Sequence, residues 1–451
     1  MKRPISRMLL FALALASGGC STQLAARAPA LPALARSDPG RFLVVTVRND
    51  SQTAMVRAGS TPRAYAGTGN YGVRAVAAEV VRALERDYGL RQVSAWPIAT
   101  LRVHCVMFRL PGATPAGALI ARLTRDPRVD SVEPLNEFST ESAPARDGTR
   151  DWMPYNDPYG PLQTSLRELG VIHAQRHTRG AGVRVAIIDT GVDFKHPDLA
   201  GRIVAHRNFV DHDEAAFRAD LHGTAVAGII AADADNGIGI VGIAPESQII
   251  ALKSCWQVAP GDAHAVCNSF TLAQGLEAAI LAHADIVNLS LAGPPDPLLA
   301  RLIGVGTRQG IVFIGAAAPP SSGPVFPADL DPVLPVQVAE GGSARTNYLS
   351  APGRDILSLA PGGHYDFSSG SSLAAAEVTG IVALLLSDQP HLAAGEIRAR
   401  LARSAALIEQ PSGEVRSVNA CAALDLGAPG EPCAPLGVVR RVHASSSSTS
   451  L

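Results

Sequence analysis

Three polar residues of this sequence, Asp189, His222 and Ser372, each lie where an apolar segment begins or ends. Asp189 closes the run VRVAIID, His222 opens HGTAVAGIIAA, and Ser372 lies in FSSGSSLAAAEVTGIVALLLS at residues 367–387. Taken singly, the aspartate can cap a turn, the histidine can be structural and the serine can cap a helix. Taken together, a carboxylate, an imidazole and a hydroxyl are the groups that nucleophilic catalysis by serine requires.

The chemistry assigns a role to each group. His222 would accept the proton of Ser372 and pass it to the leaving amine, while Asp189 would hold the imidazole in the required tautomer. The amide of Ser372, at the positive end of a helix dipole, would donate one hydrogen bond to the oxyanion. These roles predict a covalent acyl-transfer mechanism.

Short β-branched runs alternate with longer helical segments from Asn156 onward. The strand-like runs are VRVAIID, SQIIALK, ADIVNLSL and IVFIGAA, and the helical segments between them begin at HGTAVAG, SFTLAQG and DPLLARL. Strands that alternate with helices predict a parallel sheet with helices on both faces. The active site of such a sheet lies beyond the carboxyl ends of its strands, and Asp189 is at such an end.

Three motifs in this order make the sequence resemble the subtilases, the subtilisin-like serine peptidases. DTGV at 189–192 and HGTAVAG at 222–228 match family motifs, and GSSLAAAEV at 370–378 matches GTSMAAPHV except at Ser371, Leu373, Ala376 and Glu377. NGIGIVGIAP and ADIVNLSL also match family segments. Over residues 156–425 the resemblance implies a three-layer α/β fold, serine endopeptidase activity on protein or peptide substrates, and the three residues above as the triad.

The family's second oxyanion donor, an asparagine in AAAGN, is missing. Aligning the strand GIVFIGAAA places Pro319 at that position, and neither Pro319 nor Pro320 has a backbone N–H. Loss of one such donor lowers the rate by about 10²–10³, a figure measured within this family. We therefore expect a slow enzyme, unless Ser321 or Ser322 supplies a hydroxyl instead of forming a turn. The alternative is an inactive subtilase-fold lipoprotein that binds peptides or partners.

The resemblance also implies a substrate-binding segment where the family has SLGG, at Ser290, Leu291, Ala292 and Gly293. In that mode the substrate adds to the segment as a strand. The methyl group of Ala292 is expected to narrow the pocket for the side chain before the scissile bond.

Residues 41–137 form a smaller pattern of their own. The runs RFLVVTV, TLRVHCVMFRL and VDSVEPL predict strands, and AVAAEVVRALERDYGL and PAGALIARLTRDP predict helices. The segment resembles the subtilase inhibitory propeptide, a small α+β, ferredoxin-like βαββαβ unit that would bind its own catalytic domain until it is cut away. The alternative is an unrelated α+β module that separates an anchor from the enzyme.

The N-terminus predicts export. Basic residues precede MLLFALALA and SGG, as in a secretory signal over residues 1–20. Cys20 resembles the lipidation site of bacterial lipoproteins, although Ser17 stands where Leu is usual, and the alternative is an ordinary signal cut nearby. We expect a periplasmic or outer-membrane lipoprotein, or a protein secreted after processing, with membrane contact only through the lipid.

Three further segments are predicted connections: a tether at 21–40, a polar linker at 138–155 and a low-complexity tail at 426–451. The catalytic domain is then expected to span 156–425. Because proteases cut exposed linkers, processing is expected between Ser139 and Tyr155.

Five cysteines remain after Cys20, and four of them allow three pairings. Pairing of nearest neighbours predicts bonds between Cys255 and Cys267 and between Cys421 and Cys433, each closing a short loop and stabilising the fold by about 3 kcal/mol. Cys105 is then left as a buried thiol. Export provides the oxidising compartment that such bonds require.

Charge and composition disfavour other classes. The net charge of −1 argues against nucleic acid as a partner, because phosphate binding needs concentrated Lys and Arg. Hydrophobic residues make up 47% of the chain, which is typical of a globular protein. No carboxylate cluster has the spacing of a calcium loop, so no cofactor is predicted and structural calcium is left open.

Overall fold

The computed structural model describes residues 35, 38–49, 73–112, 115–139, 152–259, 261–262, 264–318, 325–339, 345–410 and 413–426. The predicted signal with Cys20, most of the tether, linker and tail, and Cys433 lie outside these residues. Pro319, Pro320, Ser321 and Ser322 also lie outside these residues. They form the segment in which the family's second oxyanion donor is predicted to be missing.

The N-terminal unit is a four-stranded antiparallel sheet with two helices. Its elements are β1 (Phe42–Arg48), α1 (Ala75–Tyr88), β2 (Arg91–Ile98), β3 (Val103–Arg109), α2 (Ala116–Leu123) and β4 (Ser131–Pro134). The strand order is β2-β3-β1-β4, with antiparallel neighbours throughout. This is the βαββαβ, ferredoxin-like arrangement that the resemblance implied.

Both faces of this small sheet are apolar. Successive side chains of a strand point to opposite faces, and β1 accordingly sends Leu43 and Val45 into a core with α1 and α2. Phe42 and Val44 point the other way and join a core that also contains Phe270 of the larger unit. The N-terminal unit is therefore packed against the rest of the chain through its open sheet face.

The sequence pattern predicts only three strands in this unit, and the structure adds β2. β2 lies at the edge of the sheet and contains Pro97, which cannot donate to a ladder and is tolerated at sheet edges. It also follows α1 after only Gly89 and Leu90, so the helical pattern runs almost directly into it.

Fourteen strands follow β4 in the described residues. They are β5 (Glu137–Ser139), β6 (Arg184–Asp189), β7 (Ile203–Asn208), β8 (Gln248–Lys253), β9 (Cys255–Gln257), β10 (Ala265–Asn268), β11 (Ile286–Leu289), β12 (Val312–Ala316), β13 (Val333–Val338), β14 (Leu349–Ala351), β15 (Ile356–Ala360), β16 (His364–Ser368), β17 (Ala406–Gln410) and β18 (Gly413–Ser417).

Nine α-helices accompany these strands in the same part of the chain. They are α3 (Thr164–Glu168), α4 (Val171–Ala174), α5 (Glu214–Arg218), α6 (Leu221–Ala231), α7 (Ser269–Leu281), α8 (Pro297–Arg308), α9 (Ser371–Asp388), α10 (Ala394–Ser404) and α11 (Ala420–Ala423).

Seven strands form the central sheet, in the order β14-β13-β12-β11-β6-β8-β7, and every neighbouring pair is parallel. One core lies under α6 and α9 and includes Val185 and Ile187 of β6. The other lies under α7 and α8 and includes Ala186 and Ile188. The predicted three-layer α/β fold is confirmed.

Helix α9 is long and apolar enough to cross a bilayer by length and composition, the one such helix among the described residues. However, 83% of its apolar window is buried inside the molecule. Its hydropathy is thus explained by the packing of a central core helix.

Candidate active site

The site lies at the carboxyl edge of the central sheet. Asp189 is the last residue of β6 and is paired with Lys253, the last residue of β8. β11 lies on the other side of β6 and leads into Ser290. Helices α6 and α9, which carry His222 and Ser372 in their first turns, pack on each other and on this sheet. Parallel strands bring these ends together, as the sequence predicts.

Asp189 and His222 form the first contact of the site. Nδ1 of His222 lies 2.8 Å from Oδ1 of Asp189, and the two residues are 3% and 0% exposed. A carboxylate accepts hydrogen bonds, so Nδ1 carries the proton and Nε2 has a free lone pair. Nε2 is buried and has no hydrogen-bond partner among the described residues. The imidazole is therefore held as a proton acceptor.

The turn after Asp189 is tied closely to the start of α6. The amide of Gly223 donates to Oγ1 of Thr190 at 2.8 Å. A Cβ on Gly223 would come within 2.5 Å of the carbonyl oxygen of Gly191, so only glycine allows this approach. The glycine of the HGT motif thus sets how near the imidazole comes to the carboxylate.

A buried ion pair between Asp220 and Lys253 supports both the turn after Asp189 and the start of α6. The sequence analysis did not single out either residue. Asp220 accepts a 2.8 Å hydrogen bond from the amide of Gly191 and pairs with the ammonium group of Lys253, which is 2% exposed. Burial raises the pKa of Asp220, and Lys253 opposes that shift. The one signal in the sequence is a lysine that ends an otherwise apolar strand.

Ser372 is 2% exposed at the start of α9. Its hydroxyl donates to the carbonyl of Ser290 at 3.0 Å, and the hydroxyl of Ser290 donates back to the carbonyl of Ser372 at 2.9 Å. The Ser372 hydroxyl must therefore rotate away from Ser290 before it can reach an imidazole nitrogen. In sites without substrate, the hydrogen bond between a nucleophile and its base is often long or poorly aligned.

The predicted substrate segment follows β11 directly. Leu291 is buried, and Ala292 is half-buried. Both backbone groups of Gly293 bond to Phe326, at 3.0 and 2.9 Å. Gly293 is thus already paired with a neighbouring loop, and Ser290 is occupied in bracing α9. The predicted roles in substrate binding stay predictions.

The strand that directly follows the N-terminal unit, β5, enters the site region. β5 pairs with β10, with Phe138 opposite Cys267 and Ser139 opposite Val266, and β10 pairs with β9 on its other side. β9 begins just after Ser254, whose amide donates to the carbonyl of Asp189 at 2.8 Å. The sequence predicts a linker from residue 138, but the structure continues the strand through Ser139 because β10 offers an open edge.

The rest of the interface between the units is partly polar. The indole of Trp96 packs edge-on against Phe270 with ring centroids 4.4 Å apart, and its N–H donates to Glu277 at 3.2 Å. The amide of Ala99 donates to the same carboxylate at 2.6 Å. Burial raises the pKa of Glu277 to about 7.

A pair of carboxyl groups meets at the same interface. Glu133 of β4 lies near the carboxyl group of Asp296, and it accepts a bond from the amide of Leu298, in the first turn of α8, at 3.4 Å. Asp296 also accepts from Asn136 and from Ser269, at 3.2 and 2.5 Å. Burial and the nearby Asp296 raise the pKa of Glu133 to about 9.

Cys255 and Cys267 form a disulfide, as predicted, and Cys105 is a free buried thiol. Cys421 is also disulfide-bonded, and its predicted partner Cys433 lies outside the described residues.

Within the described residues, no group of three or more His, Cys, Asp and Glu side chains is placed to hold a metal ion. The expectation of no cofactor, with structural calcium left open, stays a prediction.

Comparison with known proteins gives consistent matches. A model of the subtilase family matches residues 180–421, just over half of the 451-residue chain. Subtilisin of Bacillus pumilus is 35% identical over 263 residues, which are 55% of this chain and 91% of that protein. The thermophilic serine proteinase of Bacillus sp. (strain AK1) is 29% identical over 320 residues, which are 68% of this chain and 76% of that protein.

Among solved structures, fervidolysin from Fervidobacterium pennivorans, a keratinolytic enzyme related to subtilisin, is similar with a TM-score of 0.66 and 22% identity. The match covers 86% of this chain, which spans about three fifths (61%) of that structure's chain. At this identity the likeness concerns the fold.

Proposed function

Because the chain belongs to the subtilase family, we propose that it is a serine endopeptidase whose catalytic residues are Asp189, His222 and Ser372. The observation that carries the proposal is the 2.8 Å contact between Asp189 and His222. It leaves Nε2 of His222 buried and, among the described residues, without a partner, on a helix that packs against the one carrying Ser372.

In the first half-reaction, Oγ of Ser372 attacks the carbonyl carbon of the peptide and its proton passes to Nε2 of His222. The imidazolium then gives that proton to the departing amine as the C–N bond breaks, which leaves an acyl-serine. Asp189 stabilises the imidazolium without taking its proton. In the second half, water replaces the amine, its proton goes to Nε2, and Ser372 regains a proton when the acid leaves.

One part of the oxyanion site is supported by the described residues. The amide of Ser372 lies in the first turn of α9, where helix amides have no partner within the helix and point at an incoming negative charge. Pro319 stands where the family has its second donor. A single donor makes the enzyme slower than its relatives by about 10²–10³.

We also propose that the chain is made as a zymogen. The support is β5, which continues from the N-terminal unit and adds as a strand to β10, beside the carboxyl edge of the sheet. A strand in that place would block an incoming peptide until it is cut and leaves. Export, and a lipid on Cys20, are proposed from the sequence alone.

A fluorophosphonate probe tests the peptidase assignment. Chain freed of its N-terminal unit is expected to be labelled at Ser372, because the probe is attacked only by a serine whose proton a base accepts. Ser372→Ala and His222→Ala are expected to abolish labelling, as located by mass spectrometry of the modified peptide.

Ser371→Ala is the matched control, since this adjacent serine bonds instead to the carbonyl of Ala317 at 2.6 Å. It is expected to keep the label. A folded wild-type chain that takes no label would instead favour the inactive, peptide-binding alternative.

A further inference from the structure

The disulfide between Cys255 and Cys267 joins β9 to β10, the strand to which β5 is added. Both cysteines are fully buried and directly opposite one another in the ladder. Cys267 also faces Phe138 in the register with β5, so the bond lies under the middle of that strand. β10 is thus the central strand of a three-stranded sheet, joined to β9 by the disulfide as well as by the ladder and to β5 by the ladder.

The pairing of β5 with β10 is a backbone interaction, so its hydrogen bonds do not depend on the sequence of β5. An extended peptide can therefore take the place of β5 once the N-terminal unit has left. Binding of this kind requires that β10 stays extended when its edge is empty.

Without β5, the remaining sheet is a short two-stranded ribbon. β9 has three residues and β10 has four, and isolated ribbons of two strands are marginally stable in water. The end next to α7 is anchored, because Thr271 donates to the carbonyl of Ser254 at 2.6 Å and Asn268 caps α7. The disulfide lies one residue beyond this anchor on each strand. It therefore keeps β9 and β10 paired in the part of the ladder that lies beyond the anchor.

We propose that the disulfide between Cys255 and Cys267 is a positioning element for extended polypeptide substrates. It keeps β10 in the strand conformation that an incoming peptide pairs with, and it plays no part in the chemistry at Ser372. The inference rests on the proposed peptidase function, and it assigns to this bond a role in substrate binding in addition to stability.

The test compares two substrates in the processed enzyme and its Cys255→Ala/Cys267→Ala variant. One is a peptide long enough to pair along β10, and the other is a single-residue ester that does not reach it. We expect KM for the peptide to rise about tenfold with kcat little changed, because several backbone hydrogen bonds weaken together. The ester's kcat/KM should change less than about twofold.

The matched control is Cys421→Ala/Cys433→Ala, which removes the other predicted bond. Cys421 lies in α11, whose neighbours Ala420 and Ala423 belong to the core on the opposite face of the sheet. This control should leave the ratio of peptide to ester activity unchanged. If the Cys255→Ala/Cys267→Ala variant fails to fold, Cys255→Val/Cys267→Val is used in its place, because valine keeps β-forming side chains in the ladder.

Hydrogen exchange gives a readout that needs no activity. In uncut Ser372→Ala chain, loss of the disulfide should speed exchange at Ala265–Asn268 and Glu137–Ser139 while α11 stays protected. Equal loss of peptide and ester activity, or unchanged exchange in β10, would overturn the proposal. Absence of phosphonate labelling in wild-type protein would instead contradict the peptidase function, and the exchange result would then show only whether the bond keeps β10 ordered.

Discussion

Asp220 and Lys253 are both buried, at 4% and 2% exposure, and together they brace the turn that carries Asp189. Neither touches the reacting atoms. Asp220 holds the amide of Gly191, and Lys253 supplies the positive charge that a buried carboxylate needs. The geometry of Asp189 and His222 therefore depends on a charge pair in the layer behind them.

Lys253→Met is expected to lower the free energy of unfolding by about 3–5 kcal/mol, because it leaves the carboxylate of Asp220 buried without its counter-ion. It should also lower kcat more than it raises KM, since the turn after Asp189 loses its support. Denaturant unfolding of uncut Ser372→Ala chain measures the first effect, and peptide kinetics of the otherwise wild-type enzyme measure the second.

The control for this substitution is the double variant Lys253→Met/Asp220→Asn, which removes both charges. It should recover most of the lost stability, because no unpaired charge remains. If Lys253→Met alone is as stable as its parent, then another group compensates Asp220 and the bracing role is wrong.

The sequence shows the three proposed catalytic residues because each lies in a short contiguous motif. The support of Asp220 by Lys253 joins residues 33 positions apart, on a helix cap and on a strand, and no local pattern records it. The contact of Ser372 with Ser290 joins residues 82 apart and is likewise set by the packing of α9 on β11. Contacts of this kind follow from the assembled fold.

At the scale of elements, the sheet and its helices are visible in the sequence, whereas the edges are not. β6, β8, β11 and β12 are apolar runs because both of their faces are covered. The edge strand β7 is only partly buried, and its sequence IVAHRN changes from apolar to polar residues halfway along, which gives a weaker signal. β5 could not be predicted at all, because its strand conformation comes from pairing with β10, more than 120 residues later.

The contact between β4 and the start of α8 is expected to depend on pH. Docking raises the pKa of Glu133 from 4.5 to about 9. The docked Glu133 therefore keeps a proton that it would lose if the two units were separated. Docking is therefore strongest below about pH 4.5 and weakens as pH rises toward 9. Glu277 adds to the trend, because burial raises its pKa to about 7. Two arginines oppose this trend. Arg301, which ion-pairs with Asp130, lowers the pKa of Glu133, and Arg207 lowers the pKa of Glu277.

Hydrogen exchange of β2, β4 and β5 in uncut Ser372→Ala chain measures this docking, once the intrinsic pH dependence of exchange is subtracted. Protection should fall about tenfold or more between pH 5 and pH 8, a fraction of what the raised pKa allows. Glu133→Gln, which keeps the shape and stays neutral, should flatten most of the fall. A flat profile in the parent would contradict the conclusion that docking keeps Glu133 protonated.

At the scale of the whole molecule, the N-terminal unit is attached to the catalytic unit in two ways. One is the chain itself, and the other is a noncovalent interface made by β5, by the contact of Trp96 with Phe270 and by the Glu133–Asp296 pair. A cut after Ser139 would remove only the first attachment. The two halves would then stay together until the interface fails.

We therefore expect maturation to cut between Ser139 and Tyr155 and to leave the enzyme bound, inhibited, to its own N-terminal unit. If Cys20 carries a lipid, this complex stays at the membrane, and loss of the N-terminal unit frees the catalytic unit.

Ser372→Ala should remain one full-length chain in the membrane fraction, because it cannot cut itself. Cys20→Ser should move both halves to the soluble fraction while cutting continues. Fractionation with antibodies against each half measures all three proteins, and wild-type chain that is uncut, membrane-bound and active on an added peptide would exclude release while leaving the peptidase assignment intact.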